Sequence, residues 1–297
     1  MTLFDAAIRS PRLVGVACAV GAVALGLVYL VLAGAPVPYL VINLAALAVG
    51  LALSGLVSQS LFAGRPWTGA VILAMAGGLL ATALSGVSLD GATRWVRLGG
   101  LSIQPGLVLL PVMLIAFAQC RNRSATAGMM VAAAAMAIQP DRALAGMLAA
   151  GLAVLAILRP DRSVIAALGA SLAGFAVTLA RADRLPAAAH VEGVLYSSFD
   201  VHLLAGLSVI LGLALLLVPA VVGWFRDPAG RESHAVFGAV WLAAIMAAAL
   251  GNYPTPLVGY GASAILGYAL SVLALPKVEG LRRSSCRGSA CIPSERH

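Results

Sequence analysis

Three stretches hold residue types that could do chemistry. The first runs from Arg181 to His202 and carries Arg181, Asp183, Arg184, His190, Glu192, Asp200 and His202. A carboxylate at a membrane surface can serve as general base toward a hydroxyl, and nearby arginines can hold an anionic leaving group. Its plainer account is a solvated loop whose charges keep it out of lipid. Asp200 and His202 are expected to open a helix, where a carboxylate is favourable on dipole grounds alone.

The second stretch, Asp90 to Pro105, contains Arg94, Trp95, Arg97 and Gln104. An indole suits the headgroup level, and a guanidinium can fork onto a phosphate, so the bland reading is an interfacial anchor. Pro105 fits the first position of a helix, where its missing N–H would be unpaired anyway. The third, Gly251 to Ser263, has Pro254, Pro256, Tyr260 and several glycines, and reads equally as a turn followed by a helix-packing surface. The Tyr260 hydroxyl has a plain account as a core group satisfied by a neighbour.

The elements that must position these residues are apolar. Hydrophobic residues make up 61% of the 297-residue chain and charged ones 10%, against about 25% charged in an ordinary soluble domain. That excludes a soluble enzyme. Cutting at charged and Pro/Gly clusters leaves stretches of approximately 13–34, 37–60, 67–87, 104–119, 124–138, 141–158, 163–180, 201–224, 235–251 and 257–275, near the ~20 residues that cross a bilayer. The expected fold is an all-α bundle of about ten transmembrane helices. It forms a single domain over 1–276, followed by a polar, basic cytoplasmic tail over 277–297.

The net charge of +8 is spread between apolar segments and does not gather in one patch, which removes nucleic acid as a partner. With both termini placed inside, the cytoplasmic side receives Arg9, Arg12, Arg65, Arg121, Arg123, Arg159, Arg162, Arg226, Arg231, Lys277, Arg282, Arg283, Arg287 and Arg296. The outer side receives Arg94, Arg97, Arg142, Arg181 and Arg184, a split that obeys the positive-inside rule. All three chemical stretches then lie on the outer face. The first apolar run is too long for a cleaved signal and reads as a retained helix. Cys18, Cys120, Cys286 and Cys291 make no disulfide framework, and the tail spacing with only His297 nearby does not make a zinc site. The short fifth and sixth spans meet at Asp141-Arg142, a junction expected to face a wet cavity. Ile103-Gln104-Pro105 and Ile138-Gln139-Pro140 both open inward-running helices.

In order and spacing, four segments resemble the SEDS (FtsW/RodA/SpoVE) family of integral membrane proteins. Its members carry Gly-x-x-Arg-Trp leading into Gln-Pro-Ser-Glu, then Gln-Pro-Asp-Leu-Gly-Thr, His-Thr-Asp-Phe, and Pro-Leu-Pro-Phe-x-Ser-Tyr-Gly-Gly-Ser. The matching stretches are Gly91 to Pro105, Gln139 to Asp141, His190 to Glu192 and Pro254 to Ser263. The resemblance implies a peptidoglycan glycosyltransferase that polymerises lipid II on the outer face of the bacterial cytoplasmic membrane, beside a class B penicillin-binding protein. It implies Glu192 as the catalytic carboxylate, at the position of the family's Asp. Arg94, Trp95, Arg97, Gln104, Asp141, His190 and Tyr260 become the substrate contacts, with Arg94 and Arg97 facing the pyrophosphate. A divalent cation, Mg or Mn, is compatible with that leaving group, but no cluster has the donor set of a dedicated metal cage.

The departures are specific. Gln-Pro-Ser-Glu is Gln104-Pro105-Gly106-Leu107, Gln-Pro-Asp-Leu-Gly-Thr is Gln139-Pro140-Asp141-Arg142-Ala143-Leu144, and Asp-Phe is Glu192-Gly193. The outer loop before the eighth helix is several times shorter than the family's. A second reading is therefore a catalytically degenerate relative that serves as a partner or regulator of a cell-wall synthase. A third, a lipid-linked substrate transporter, is disfavoured because nearly every charge lies at a helix end.

Overall fold

The structure, a computed structural model, describes residues 10–56, 67–89, 92–99, 101–181 and 187–277. The tail from 278 on, with Cys286, Cys291 and His297, lies outside the described residues, as do Asp183, Arg184, Asp90 and Gly91. The described helices are α1 (Pro11–Leu32), α2 (Val37–Leu56), α3 (Thr68–Ser85), α4 (Pro105–Gln119), α5 (Arg123–Ile138), α6 (Arg142–Leu158), α7 (Arg162–Ala180), α8 (Val194–Val201), α9 (Leu203–Leu215), α10 (Val218–Arg226), α11 (Arg231–Leu250) and α12 (Ala262–Ala274). Six segments are long and apolar enough to cross a membrane: α1, α2, α3, α7, α9 with α10 taken together, and α11 with the 3-10 turn before it. The helices α4, α5, α6 and α12 are apolar but shorter.

The fold is an all-α membrane bundle, and α4 can be short because of where it sits. At 1.5 Å per residue, the 15 residues of α4 cover roughly 22 Å, less than the ~30 Å of hydrocarbon. Every residue of α4 from Leu110 to Ala118 is buried against other helices, so its ends need not reach the lipid boundary. By contrast α2 turns Val37, Val41, Leu44, Val49, Leu53 and Leu56 outward, the apolar surface that lipid requires.

Backbones approach closely where one side has no Cβ. A Cβ at Gly26 of α1 would lie 2.7 Å from the Val258 Cα, and one at Gly174 of α7 would lie 2.9 Å from the Ala133 carbonyl oxygen of α5. Small residues let backbones pack where no hydrophobic drive separates helix from lipid. Among the helix starts capped by side chains, Asn122 accepts from Ala125 N, Asp141 from Leu144 N and Asp161 from Val164 N.

Two regions differ from the sequence expectation. The segment read as a single eighth span is broken at Leu216-Leu217 into α9 and α10, with Pro219 in the first turn of α10. Asp200 does not open the spanning helix. It lies in the last turn of α8, and His202 caps α9 by accepting from Leu204 N at 3.0 Å. Between the third and fourth spans the described residues form a three-stranded antiparallel sheet, β1 (Val87–Leu89), β2 (Ala92–Leu98) and β3 (Leu101–Ile103), in the order β1-β2-β3. Val96, Arg97 and Leu98 pair with Ile103, Ser102 and Leu101. The tight turn between them needs Gly99, whose φ is +54°.

Loop ends gather in two groups. At one end, Arg121 pairs with Asp161 (3.0 Å) and Glu232 (3.2 Å), and Arg159 with Glu232 (3.2 Å). At the other end stand the sheet, the α5–α6 junction, the turn before α8 and the segment between α11 and α12.

Candidate active site

At the sheet end, β2 carries Arg94 inward. Its guanidinium donates to the Pro140 carbonyl at 2.6 Å and lies 3.6 Å from the Asp141 carboxylate. Asp141 is fully buried and divides its oxygens between two tasks. Oδ1 accepts from Leu144 N at 3.0 Å, capping α6, while Oδ2 accepts from the Gln104 side chain at 2.9 Å. The Gln104 backbone N–H donates to Ser263 Oγ at 2.9 Å, which ties the start of α4 to α12. Gln139 reaches back to the Leu79 carbonyl at 3.0 Å. The two Gln-Pro starts thus knot four helix ends into one buried polar cluster.

Arg142, next in sequence, turns away from that cluster. It donates to the Thr178 carbonyl at 3.1 Å and to the Arg181 carbonyl, both at the C-terminal end of α7. A guanidinium there bonds the unpaired last carbonyls of a helix and complements its dipole.

Glu192 comes from the turn that leads into α8. His190 and Gly193 on either side of it are in the left-handed region, with φ of +64° and +68°. Gly193 adopts that conformation without a Cβ penalty and lets α8 start at the next residue. The turn is docked on the segment between α11 and α12. Tyr260 N donates to the His190 carbonyl (2.7 Å), Thr255 N to the Val191 carbonyl (2.9 Å), and Glu192 forms an antiparallel bridge with Pro254. One Glu192 oxygen accepts from Ala188 N at 2.6 Å. Burial pushes the Glu192 carboxyl above its ordinary range, and the backbone N–H groups of Ala188 and of Glu192 itself oppose that.

A cavity of about 320 Å³ opens between these parts. Its lining includes Arg94, Trp95, Gln104, Leu107, Leu144, Ala188, Glu192, Tyr253 and Pro254. Four residues singled out in the sequence, Arg94, Trp95, Gln104 and Glu192, therefore meet around one space, with Asp141 behind the wall. The other three lie elsewhere. His190 and Tyr260 belong to an aromatic group in which Tyr39 and Tyr260 stack at 3.9 Å, while Tyr29 and Tyr39 each lie 6.3 Å from the His190 ring. Arg97 is exposed. Arg94 and Arg97 are three apart on a strand, and the period of two sends them to opposite faces. The resemblance sets both against one pyrophosphate, whereas only Arg94 lines the cavity.

Two of the cavity-lining residues, Leu107 and Leu144, stand where the family's motifs have Glu and Thr. Asn43 is not among the residues singled out from the sequence. It is a lone, fully buried amide in α2 that donates to the Gly259 carbonyl (2.9 Å) and accepts from Gly261 N (3.2 Å). Its signal was available, since an amide inside an apolar run demands a partner.

No protein-family model matches the chain, and no curated protein sequence does. Solved structures match in fold. The rod shape determining protein RodA of Thermus thermophilus superposes with a TM-score of 0.62 at 23% identity, covering 88% of this chain and 94% of that one. An aspartate-to-alanine mutant of the same protein gives 0.61 at 23%, covering 88% and 95%. Over 88% of its length the chain thus shares the multi-pass helical fold of RodA, the architecture implied by the SEDS resemblance of its four motifs.

Proposed function

We propose that this chain is a SEDS-type cell-wall synthesis protein that polymerises lipid II on the outer face of the bacterial cytoplasmic membrane. One observation carries the reading: Glu192, at the position of the family's catalytic carboxylate, lines the same cavity as Arg94, Trp95 and Gln104. In the reaction, a sugar 4-hydroxyl attacks the anomeric carbon of a second lipid II, the C–O bond to undecaprenyl pyrophosphate breaks, and the hydroxyl proton passes to Glu192. Burial raises the basicity of Glu192 toward that task. Arg94 contributes positive potential from the wall, where Asp141 holds it in place. Trp95 offers an apolar face to the substrate.

The described residues contain no group of three His, Cys, Asp or Glu side chains that could hold a metal ion. A Mg or Mn ion carried by the substrate pyrophosphate would need only one or two protein carboxylates, and Glu192 is the carboxylate that lines the cavity. A class B penicillin-binding protein is the partner class that this reading implies, in division or cell-shape synthesis.

A second reading is favoured by Leu107 and Leu144, which make the cavity wall apolar where the family motifs are polar. It is a non-catalytic relative that binds lipid II or the partner and regulates a synthase. Purified protein supplied with lipid II, alone and with a class B penicillin-binding protein, separates the two. Glycan polymer formed by the native chain and abolished in Glu192→Gln supports the enzyme. Binding without polymer under every condition supports the regulator.

A further inference from the structure

The segment that holds the Glu192 turn is itself held from inside the bundle. Val258 packs against α1 at Gly26, where an added Cβ would lie 2.7 Å from the Val258 Cα and 2.8 Å from its carbonyl oxygen. Gly259 lies so close to the Glu192 turn that a Cβ there would meet the His190 carbonyl oxygen at 3.0 Å. Between these contacts Asn43 brackets the backbone, with Nδ2 donating to the Gly259 carbonyl and Oδ1 accepting from Gly261 N. Both halves of the amide are used on residues more than 200 positions away. The next backbone N–H in the segment, that of Tyr260, donates to the His190 carbonyl at 2.7 Å. A continuous relay of hydrogen bonds thus runs from α2 to the residue two before Glu192.

We propose that Asn43 is a positioning residue that fixes the Glu192 turn from within the bundle. It does not line the cavity, so it acts through Gly259 to Gly261 without touching substrate. An amide withdrawn from water is unfavourable unless its donor and acceptor are both bonded, and here the bracket uses both. The catalytic consequence rests on reading Glu192 as the base; the mechanical one does not.

The test uses the full chain in lipid nanodiscs with Asn43→Leu, which keeps the volume and removes both bonds, and Asn43→Asp, which keeps the acceptor for Gly261 N. Hydrogen exchange followed by mass spectrometry should show the amides of 255–261 exchanging on the order of 10-fold faster in Asn43→Leu, with peptides around Arg121 and Glu232 unchanged. In lipid II polymerisation, kcat should fall about 10- to 100-fold, as for a misplacement of about 1 Å. KM should hold, the acid limb of the pH–rate profile should move, and Asn43→Asp should lie between. Unchanged exchange over 255–261 overturns the proposal. So does a slower kcat accompanied by faster exchange throughout and an unmoved acid limb. A native chain that makes no polymer removes the enzyme reading, and the exchange data alone then decide on Asn43.

Discussion

Gly106 and Leu144 compete for one space: a Cβ built on Gly106 would run into Cδ1 of Leu144. These are two of the positions at which the chain departs from the SEDS motifs, where Ser and Thr would stand. The contact turns two departures into one exchange. Leu144, in the first turn of α6, takes the room that a side chain at the second position of α4 would need. With Leu107 beside them, the cavity wall becomes apolar while Arg94, Gln104 and Asp141 keep their polar network.

Gly106→Ala should therefore destabilise the bundle by about 1 kcal/mol, because the far end of Leu144, which borders the cavity, must rotate aside, and Leu144→Ala alone by about 2 kcal/mol through the packing it removes. In the double variant the two should partly cancel, with a coupling of about 1 kcal/mol or more. Thermal unfolding of the four proteins in one detergent closes the cycle, and simple additivity would show that the two side chains do not share the space.

Asp141 is the keystone of the polar cluster. Its removal in Asp141→Ala leaves the nearly buried Arg94 without its carboxylate and Leu144 N without its cap. Breaking a buried pair from one side costs about 3 to 5 kcal/mol, and loss of a cap about 1 kcal/mol. Asp141→Asn keeps an oxygen for Leu144 N and should cost less. Midpoints of thermal aggregation should rank native, Asn, Ala in that order, and equal midpoints for Asn and Ala would mean that the cap contributes nothing.

How far the sequence could be read follows from which forces are local. Hydropathy placed the apolar segments within a few residues, because lipid demands the same thing of every spanning helix, and the Gln-Pro starts of α4 and the α5–α6 junction carried their own signals. The sheet at 87–103 was missed because Arg94 and Trp95 have a sufficient account as headgroup anchors, and its pairing depends on a Gly99 turn that hydropathy does not register. The break at Leu216-Leu217 was missed because both sides of it are equally apolar. Asn43 was missed because its partners, Gly259 and Gly261, are more than 200 residues away. The meeting of Arg94, Gln104 and Glu192 was inferable only by resemblance, since nothing in their spacing reports a shared cavity.

The apolar wall makes Leu107→Glu informative. It restores the acidic residue of the motif to the cavity that Glu192 lines. A second carboxylate facing the same low-dielectric space should push the Glu192 carboxyl further up. The acid limb of polymerisation should then move to higher pH, while Leu107→Gln leaves it in place. An unmoved limb in Leu107→Glu would mean that the two side chains do not sense each other across the cavity.

The native chain should already show an acid limb displaced upward. Burial raises the Glu192 carboxyl above its ordinary value of 4.5, so ionisation is harder in the folded protein than in the unfolded chain. The sign for stability follows: the contribution of Glu192 is fully present below the unfolded pKa and is lost as pH rises through the higher, folded one. Activity runs the other way, because a general base must be ionised, and the rate should climb across the same interval in which that stability is given up. Glu192→Gln separates the two. It should abolish the rate and remove the share of the stability slope that Glu192 contributes. A stability profile that keeps its slope in Glu192→Gln would assign the titration to another group, and a polymerisation rate that survives would remove Glu192 from the chemistry.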